Sequence, residues 1–205
     1  MCRCVVVCAG ERSCADFIAL PGDFVICCDD GLSAARQIGL TPDLLIGDFD
    51  SLTGPLPPEI ETLRFPVEKD DTDSMLAVRE GLRRGYRDFI LLFSLGGRLD
   101  HTIANVQTLA FLLCHGASGR LVGPRDEVFL LHNTSVHLPR RTTHTLSLFA
   151  WNGAALGVTL RGVQYPLTDH TLTSDFPLGV GNSIIEEEAI LSVTDGTLLV
   201  ICSAL

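Results

Sequence analysis

The feature that most constrains the fold is an alternation, over the first 125 residues, of short apolar runs with stretches of helical periodicity. Four runs have the length and composition of buried strands: Cys4–Cys8, Phe24–Cys28, Leu44–Ile46 and Phe89–Phe93. Between the third and fourth runs, Met75, Val78 and Leu82 recur at the spacing of one helical face. Alternating strands and helices of this kind build a parallel sheet covered by helices. We therefore predict an α/β domain over residues 1–125.

After Pro124 the pattern changes to short alternating segments of the kind found in antiparallel sheets. The candidate strands are residues 127–131, 145–149, 156–160 and 198–202, and the candidate turns are Asn133, Asn152-Gly153, Gly162 and Asp195-Gly196. This half is typical of a sandwich or a barrel. The complete prediction is an α/β chain in which an N-terminal Rossmann-like parallel-sheet domain precedes a smaller all-β sandwich domain over residues 126–205.

Composition excludes several classes of function. The formal net charge of −10 argues against a nucleic-acid partner, because binding to nucleic acid requires lysine and arginine to neutralise phosphates. No apolar run has the length of a membrane span, and the N-terminal residues lack a signal-peptide layout. The eight cysteines form no C-x-x-C pair and lie mostly in apolar runs. We expect a cytoplasmic protein with buried free thiols rather than a disulfide framework or a thiolate metal site.

Polar motifs follow the predicted strands, at the sheet edge where ligands bind in open α/β folds. The three motifs that follow strands are Asp29-Asp30-Gly31, Gly47-Asp48-Phe49-Asp50-Ser51 and Gly96-Gly97-Arg98-Leu99-Asp100-His101. A fourth motif, Lys69-Asp70-Asp71-Thr72-Asp73, opens a helix that we expect to reach about Arg84. Each motif alone has an ordinary explanation as a turn or as a helix cap.

Taken together, the carboxylates of these motifs predict a cation site. Several acidic side chains at one sheet edge repel one another and need a cation to make the arrangement tolerable. An all-oxygen set favours magnesium or manganese over zinc. In an extended segment Phe49 would point away from Asp48 and Asp50, which would leave both carboxylates on one side.

The glycine motif predicts an anion site. Gly96 and Gly97 allow backbone N–H groups to approach an anion at the start of the next helix, and Arg98 has the planar fork that binds two phosphate oxygens. The chain has no Walker loop. His101 and Asn105 lie four residues apart on one helical face, where His101 is either a substrate contact or a capping or surface histidine.

The motifs together resemble the thiamine pyrophosphokinases, also called thiamine diphosphokinases. The matching pieces are Asp29-x-Gly31, Pro42-Asp43-x-x-x-Gly47-Asp48-Phe49-Asp50-Ser51, Lys69-Asp70-x-Thr72-Asp73 and Gly96-Gly97-Arg98-x-Asp100-His101-x-x-x-Asn105. In the second half, Gly162-Val163-Gln164-Tyr165-Pro166-Leu167 is similar to the family's G-x-x-W/Y-x-L segment, and Gly179-Val180-Gly181-Asn182-Ser183 to a segment that usually has serine before asparagine. Gly181 departs from that pattern, and Asp30 stands where the family commonly has glycine.

This resemblance implies a fold, a reaction and a set of site residues. The reaction would be transfer of pyrophosphate from ATP to the hydroxyl of thiamine, which gives thiamine diphosphate and AMP. Magnesium would be held by Asp48, Asp50 and Asp73. The residues implied at the ATP and phosphate region are Asp29, Gly31, Lys69, Asp70, Thr72, Gly96, Gly97, Arg98, Asp100, His101 and Asn105. Tyr165, Asn182 and Ser183 would line the thiamine end of a homodimer whose thiamine site lies between subunits.

Two points stay open at this level. Either Asp100 or Asp70 would take the proton of the thiamine hydroxyl. The alternative functions are a metal-dependent nucleotide phosphohydrolase, which uses water in place of the alcohol, and a non-catalytic sensor of nucleotide or thiamine.

Overall fold

The chain divides into two compact units, Met1–Pro124 and Arg125–Leu205. The computed structural model describes residues 2–11, 17–49, 55–66, 68 and 70–205. No helix in these described ranges is long and apolar enough to cross a membrane.

In its described residues, the first unit is a six-stranded parallel sheet with three helices. Its elements are β1 (Cys4–Val7), β2 (Phe24–Cys28), α1 (Gly31–Gln37), β3 (Leu44–Gly47), β4 (Glu61–Arg64), α2 (Asp73–Arg83), β5 (Asp88–Leu92), α3 (Leu99–Cys114) and β6 (Ser118–Val122). The strand order is β4-β3-β2-β1-β5-β6, and every neighbouring pair runs parallel. The predicted α/β class is confirmed.

The buried apolar runs account for the central strands. All residues of β1 and β3 are buried, and β2 and β5 are buried apart from their first residue. The sequence did not predict β4 and β6, because their partly exposed residues interrupt the apolar pattern. The predicted run Phe89–Phe93 ends one residue early, since Phe93 adopts a positive φ of 54°.

The strand order places a topological switch point beside β1. From β1 the chain builds the sheet outward through β2, β3 and β4, then returns to the other side of β1 with β5. Connections that leave two adjacent parallel strands in opposite directions open a crevice at their carboxyl ends. The polar motifs that follow β2, β3 and β5 therefore face one region.

The second unit is antiparallel throughout its described pairings. Its strands are β7 (Asp126–His132), β8 (Ser135–Pro139), β9 (His144–Arg161), β10 (Leu167–Leu172), β11 (Gly179–Asn182), β12 (Glu188–Ser192) and β13 (Asp195–Ala204). The first part of β9 pairs with β11 and β13, and its last part with β10 and β12. Apolar side chains from both parts of β9, and from β7, β8, β10, β12 and β13, share one core.

The predicted division of residues 145–160 into two strands is wrong. Asn152 and Gly153 do have positive φ, 58° and 129°, as the turn prediction required. However, β13 pairs with β9 on both sides of them, and the register shifts between Asp195 and Thr197. The two residues therefore form a bulge in one 18-residue strand rather than a reversal. Asp195 and Gly196, predicted as a turn, begin β13.

Candidate active site

A cavity of about 860 Å³ lies in the first unit, at the carboxyl edge of the sheet. It is lined by residues that follow β1, β2, β3 and β5 and by the first turns of α2 and α3. Nine residues of the predicted site line it: Asp29, Asp48, Thr72, Asp73, Gly96, Gly97, Arg98, His101 and Asn105. Segments far apart in sequence thus meet where the strand order opens the sheet.

Three other described residues of the predicted ATP and phosphate region do not line the cavity. Gly31, Asp70 and Asp100 belong to the same motifs but are not among the residues that line the cavity. Asp50 and Lys69 lie outside the described residues. Gly31 has a packing role, because a Cβ atom there would lie 2.1 Å from the carbonyl oxygen of Val7.

Sequence reasoning missed the residues that follow β1. Cys8, Ala9, Gly10 and Glu11 line the cavity beside the glycine motif. Gly10 is required by close packing, since a Cβ atom there would lie 2.2 Å from the Phe93 carbonyl oxygen. The available signal was their position at the end of a buried strand, the same signal that identified the other three motifs.

Asp29 joins the loops that follow β2 and β3. Its Oδ1 accepts hydrogen bonds from the backbone amides of Asp48 (3.1 Å) and Phe49 (3.4 Å). A Cβ atom on Gly47 would lie 1.7 Å from the same oxygen, so only glycine allows this approach. The Asp29 carboxylate, which belongs to another motif, thus explains why residue 47 is a glycine.

The ionisation of Asp29 is perturbed by burial and by neighbouring carboxylates. Burial raises the pKa of Asp29 to about 7, and a hydrogen bond with Asp73 and the negative charges of Asp73 and Asp48 act in the same direction. The backbone amide of Phe49 opposes this effect only in part, because a donated hydrogen bond stabilises the ionised form. The crowding predicted from the sequence is therefore present among Asp29, Asp48 and Asp73.

The donors fit a hard divalent cation in type. They are carboxylate oxygens, which magnesium prefers over nitrogen or sulfur. Within the described ranges no group of three or more His, Cys, Asp or Glu side chains is arranged to hold a metal ion. The predicted set of Asp48, Asp50 and Asp73 includes one member outside those ranges.

Phe49 differs from the extended arrangement considered for its segment. It has a φ of 60° and packs its side chain into the core of the first unit. The Arg64 guanidinium lies 5.6 Å from the centroid of its ring. The extended conformation considered for this segment is therefore not adopted at Phe49.

The start of α2 is fixed by Thr72. Its hydroxyl accepts the backbone N–H of Met75 at 3.2 Å, and its backbone is extended, as the first residue before a helix requires. Asp73 is the first helical residue, where a negative charge is favoured by the helix dipole. Of the two caps considered from the sequence, Asp71 and Thr72, the structure uses Thr72.

The glycine motif carries an exposed ion pair. Gly96 and Gly97 both have positive φ, 83° and 65°. The Arg98 fork binds both carboxylate oxygens of Asp100, with Nε to Oδ1 at 3.1 Å and Nη2 to Oδ2 at 2.5 Å. Asp100 also accepts the backbone N–H of His101 at 2.9 Å. The Arg98 guanidinium holds the pKa of Asp100 below its ordinary value.

His101 and Asn105 share a face of α3 but have different environments. His101 is exposed at the cavity, whereas Asn105 is only 7% exposed. Asn105 bonds to Ser74 and Ser94, both of which also line the cavity. Its side chain therefore joins protein segments together.

The three predicted residues of the second unit form a local cluster. The backbone amides of Tyr165 and Ser183 donate to Oδ1 of Asn182, at 3.1 and 2.9 Å. The Tyr165 side chain is largely exposed, and its hydroxyl accepts a hydrogen bond from Gln164 at 3.3 Å. This cluster presents an aromatic ring at the surface of its unit.

Two family sequence models match the chain in succession. The first, described as the thiamin pyrophosphokinase catalytic domain, matches residues 21–117, and the second, described as the thiamin pyrophosphokinase vitamin B1 binding domain, matches residues 133–198. The chain belongs to the thiamine pyrophosphokinase family. The predicted family is confirmed.

Individual thiamine pyrophosphokinases match over most of the chain. The thiamine pyrophosphokinase of Bacillus subtilis (strain 168) is 27% identical over 182 residues, which span 85% of each protein. A crystal structure of thiamine pyrophosphokinase from Bacillus subtilis has a TM-score of 0.89 at 22% identity, with 99% of both chains covered, and shows the same fold. A thiamin pyrophosphokinase family protein from Enterococcus faecalis has a TM-score of 0.84 at 27% identity, also over 99% of both chains.

Family membership confirms the predicted function. The chain is an enzyme that transfers pyrophosphate from ATP to thiamine, with ATP as co-substrate. Neither the phosphohydrolase nor the non-catalytic sensor is favoured by these matches.

Proposed function

We propose that the cavity at the carboxyl edge of the parallel sheet holds ATP and magnesium during this transfer. The observation that carries the proposal is the meeting of nine predicted site residues, from four motifs, in one cavity at the switch point of the sheet. We also propose that residues 1–125 form a Rossmann-like catalytic domain.

Asp48, Asp50 and Asp73 are the proposed magnesium ligands. The crowding that raises the pKa of Asp29 supports this assignment, since a bound cation would offset the repulsion between carboxylates. Magnesium supplies charge neutralisation for the phosphate oxygens when it is bound. In this proposal Asp29 acts mainly by holding the loop that carries Asp48.

The glycine motif and nearby basic side chains are the proposed phosphate contacts. Gly96, Gly97 and Arg98 line the cavity, and we assign the phosphate contacts to the backbone N–H groups of these glycines and to the positive charges of Arg98 and Lys69. Gly31, Asp70, Thr72 and His101 complete the proposed nucleotide region. The protein positions the alcohol oxygen of thiamine in line with the β-phosphorus of ATP, so that one P–O bond forms while the bond to AMP breaks.

For the proton of the thiamine hydroxyl we favour Asp70 over Asp100. Both oxygens of Asp100 are held by Arg98, and its lowered pKa makes it a weaker base. Asp70 is exposed and lies two residues before Thr72, which lines the cavity. In this proposal Asp100 orients the Arg98 guanidinium through their ion pair.

We propose that residues 126–205 form a β-sandwich that binds thiamine. The match to a vitamin B1 binding domain and the single core shared by both parts of β9 support this assignment. Tyr165 is the proposed stacking partner of the cationic thiamine rings, with Asn182 and Ser183 beside it. The thiamine site is proposed to lie between two subunits of a homodimer.

We also propose a cytoplasmic location. The seven cysteines in the described part of the chain are free, as expected in a reducing compartment.

The test is product analysis by chromatography after incubation with magnesium, ATP and thiamine. We expect thiamine diphosphate and AMP in equal amounts, and neither product without thiamine. Phosphate release that does not depend on thiamine would support the phosphohydrolase instead. Binding of both substrates without any product would support the sensor.

A further inference from the structure

Ser74 and Asn105 form a hydrogen-bonded bridge beneath the cavity. The Ser74 hydroxyl donates to Oδ1 of Asn105 at 2.9 Å, and Nδ2 of Asn105 donates to the backbone carbonyl of Ser94 at 2.7 Å. Asn105 is 7% exposed and Ser94 is 5% exposed, whereas Ser74 is half-buried. The bridge joins α2, α3 and the segment that follows β5.

The hydrogen bonds of the bridge run in one consistent direction. Ser74 has a single hydroxyl proton, which it donates to Asn105. Its 3.1 Å contact with the Thr72 hydroxyl therefore has Thr72 as the donor. Thr72 in turn accepts the backbone N–H of Met75. The first turn of α2 is thus connected to Asn105 by a series of hydrogen bonds, in which the Met75 N–H donates to Thr72, Thr72 to Ser74, and Ser74 to Asn105.

The two ends of this chain lie at different parts of the proposed site. Ser74 follows Asp73, a proposed magnesium ligand, whereas Ser94 lies just before the glycine motif. Ser94 is itself fixed, since its hydroxyl donates to the carbonyl of Leu91 at 2.8 Å. The bridge therefore sets the distance between the acidic helix start and the phosphate-binding glycines.

We propose that Asn105 and Ser74 are positioning residues that hold Asp73 in register with the Gly96-Gly97 loop. This inference rests on the proposed function of the cavity and revises the role of Asn105, which the sequence assigned to ATP. The Asn105 oxygen and nitrogen each bond to a protein group, and in this proposal Asn105 acts on nucleotide binding through the segments that it joins.

The size of the effect follows from geometry. Removing one partner leaves a buried polar group without its hydrogen bond, which displaces the segments it joined. A displacement of about 1 Å at a reacting centre costs up to about 100-fold in rate. We expect the Ser74→Ala and Asn105→Ala enzymes each to lose about 10- to 100-fold in kcat/KM for ATP.

The experiment is a double-mutant cycle with two readouts. Ser74→Ala, Asn105→Ala and the double variant are compared for kcat, KM and binding of a non-hydrolysable ATP analogue, and by hydrogen exchange of the Met75 and Leu76 amides. Thr108→Ala is the matched control. Thr108 lies about one turn further along α3 and is buried, and its hydroxyl donates to the carbonyl of Ala104.

If the bridge acts as a unit, the double variant loses no more activity than the more impaired single variant. Both single variants then also exchange the Met75 and Leu76 amides faster than wild type, whereas Thr108→Ala changes neither readout. Should Asn105→Ala not fold, Asn105→Asp keeps the acceptor for Ser74 and removes the donor to Ser94.

Two results would overturn the proposal. Losses that multiply in the double variant would mean that the residues act independently. Weaker binding of the analogue in Asn105→Ala, with normal binding in Ser74→Ala, would mean that Asn105 contacts ATP directly. A wild-type enzyme without activity would instead refute the proposed function, and amide exchange would still show whether the bridge holds α2.

Discussion

Asn182 holds the backbone of Tyr165 at two points. Its Oδ1 accepts the Tyr165 amide N–H at 3.1 Å, and its Nδ2 donates to the Tyr165 carbonyl at 2.8 Å. Asn182 is 8% exposed, whereas Tyr165 is 63% exposed. The buried amide therefore fixes the backbone beneath an exposed aromatic ring, and in the proposed thiamine site Asn182 would act through Tyr165.

We expect Tyr165→Ala to weaken thiamine binding without changing ATP binding. Loss of a cation–π contact of roughly 0.5 to 2 kcal/mol corresponds to about a 2- to 30-fold increase in the Kd for thiamine. Isothermal titration with each substrate separately measures both constants. Tyr165→Phe is the control, since it keeps the ring and should bind thiamine nearly as wild type does. Equal losses in the two variants would show that the hydroxyl, not the ring, makes the contact.

Asn182→Ala should reproduce the thiamine defect and also lower stability. The substitution removes the acceptor of the part-buried backbone N–H groups of Tyr165 and Ser183, at a cost of about 1 kcal/mol in the free energy of unfolding. Urea denaturation checks this value. The Asn182→Ala/Tyr165→Ala double variant should bind thiamine no more weakly than the weaker single variant. A further loss in the double variant would indicate a direct contact between Asn182 and thiamine.

Asp29→Asn should stabilise the metal-free protein at alkaline pH and not at acidic pH. Burial raises the folded-state pKa of Asp29 to about 7. The protonated Asp29 carboxyl therefore contributes its full stabilisation of the folded state below the ordinary pKa of 3.8, and this contribution is lost as the pH rises through 7. Asparagine at position 29 stays neutral at every pH, and its side-chain oxygen can still accept the backbone N–H of Asp48. We expect a gain on the order of 1 kcal/mol at pH 8 after allowance for solvent screening, measured by thermal melting in EDTA.

Asp23→Asn is the control of opposite sign. The Arg3 guanidinium binds both oxygens of Asp23, at 2.9 and 2.6 Å, and holds its pKa below the ordinary value. Its stabilising effect is therefore present above pH 3.8 and is lost as the pH falls through the folded-state pKa. Asp23→Asn should melt lower than wild type at pH 7, with the difference closing in acid. The same pH trend in both variants would contradict the assigned environments.

Arg98→Lys and Asp100→Asn together test the role of the ion pair in the glycine motif. Lysine keeps the charge of Arg98 but lacks the planar fork, so ATP affinity and rate should both fall. If Asp100 only holds Arg98, Asp100→Asn should raise KM for ATP by less than about 10-fold and leave the acid limb of the pH–rate profile in place. Loss of about 100- to 10,000-fold in kcat together with that limb would instead identify Asp100 as the general base.

A structural element of this protein is predictable from the sequence when the contacts that determine it lie close together in the chain. The strand Phe24–Cys28 was predicted with its observed bounds because its apolar run is continuous and buried. The bulge at Asn152 was not predicted, because it is defined by the register with β13, about 45 residues further along the chain. Turn residues alone do not distinguish a bulge from a reversal.

The candidate site shows the same division. Strand ends placed the motifs at one sheet edge, because parallel strands share a direction. The engagement of Asn105 by Ser74 and Ser94, and of Asp100 by Arg98, depends on side-chain geometry between segments. Residue type and spacing therefore located these side chains. They did not distinguish a side chain that contacts a ligand from one that holds other protein groups in place.

The last prediction tests whether thiamine is bound between subunits. If the α/β domain of one subunit and the β domain of the other form each site, an Asp73→Asn subunit and a Tyr165→Ala subunit carry complementary defects. A mixed dimer would then contain one site with both halves intact. Mixing the two inactive or impaired proteins in equal amounts should restore activity, to at most about a quarter of the wild-type level, because half of the randomly paired dimers are mixed and each has one intact site.

Subunit exchange must be shown first, by recovering pairs of differently tagged chains. Two Asp73→Asn proteins with different tags provide the control, since they exchange in the same way and have no intact half to share. Complete exchange without activity above that of the separate variants would mean that each subunit builds its own thiamine site. Tyr165 would then have to reach the Asp73 cavity of the same chain, and the homodimer would not be needed for catalysis.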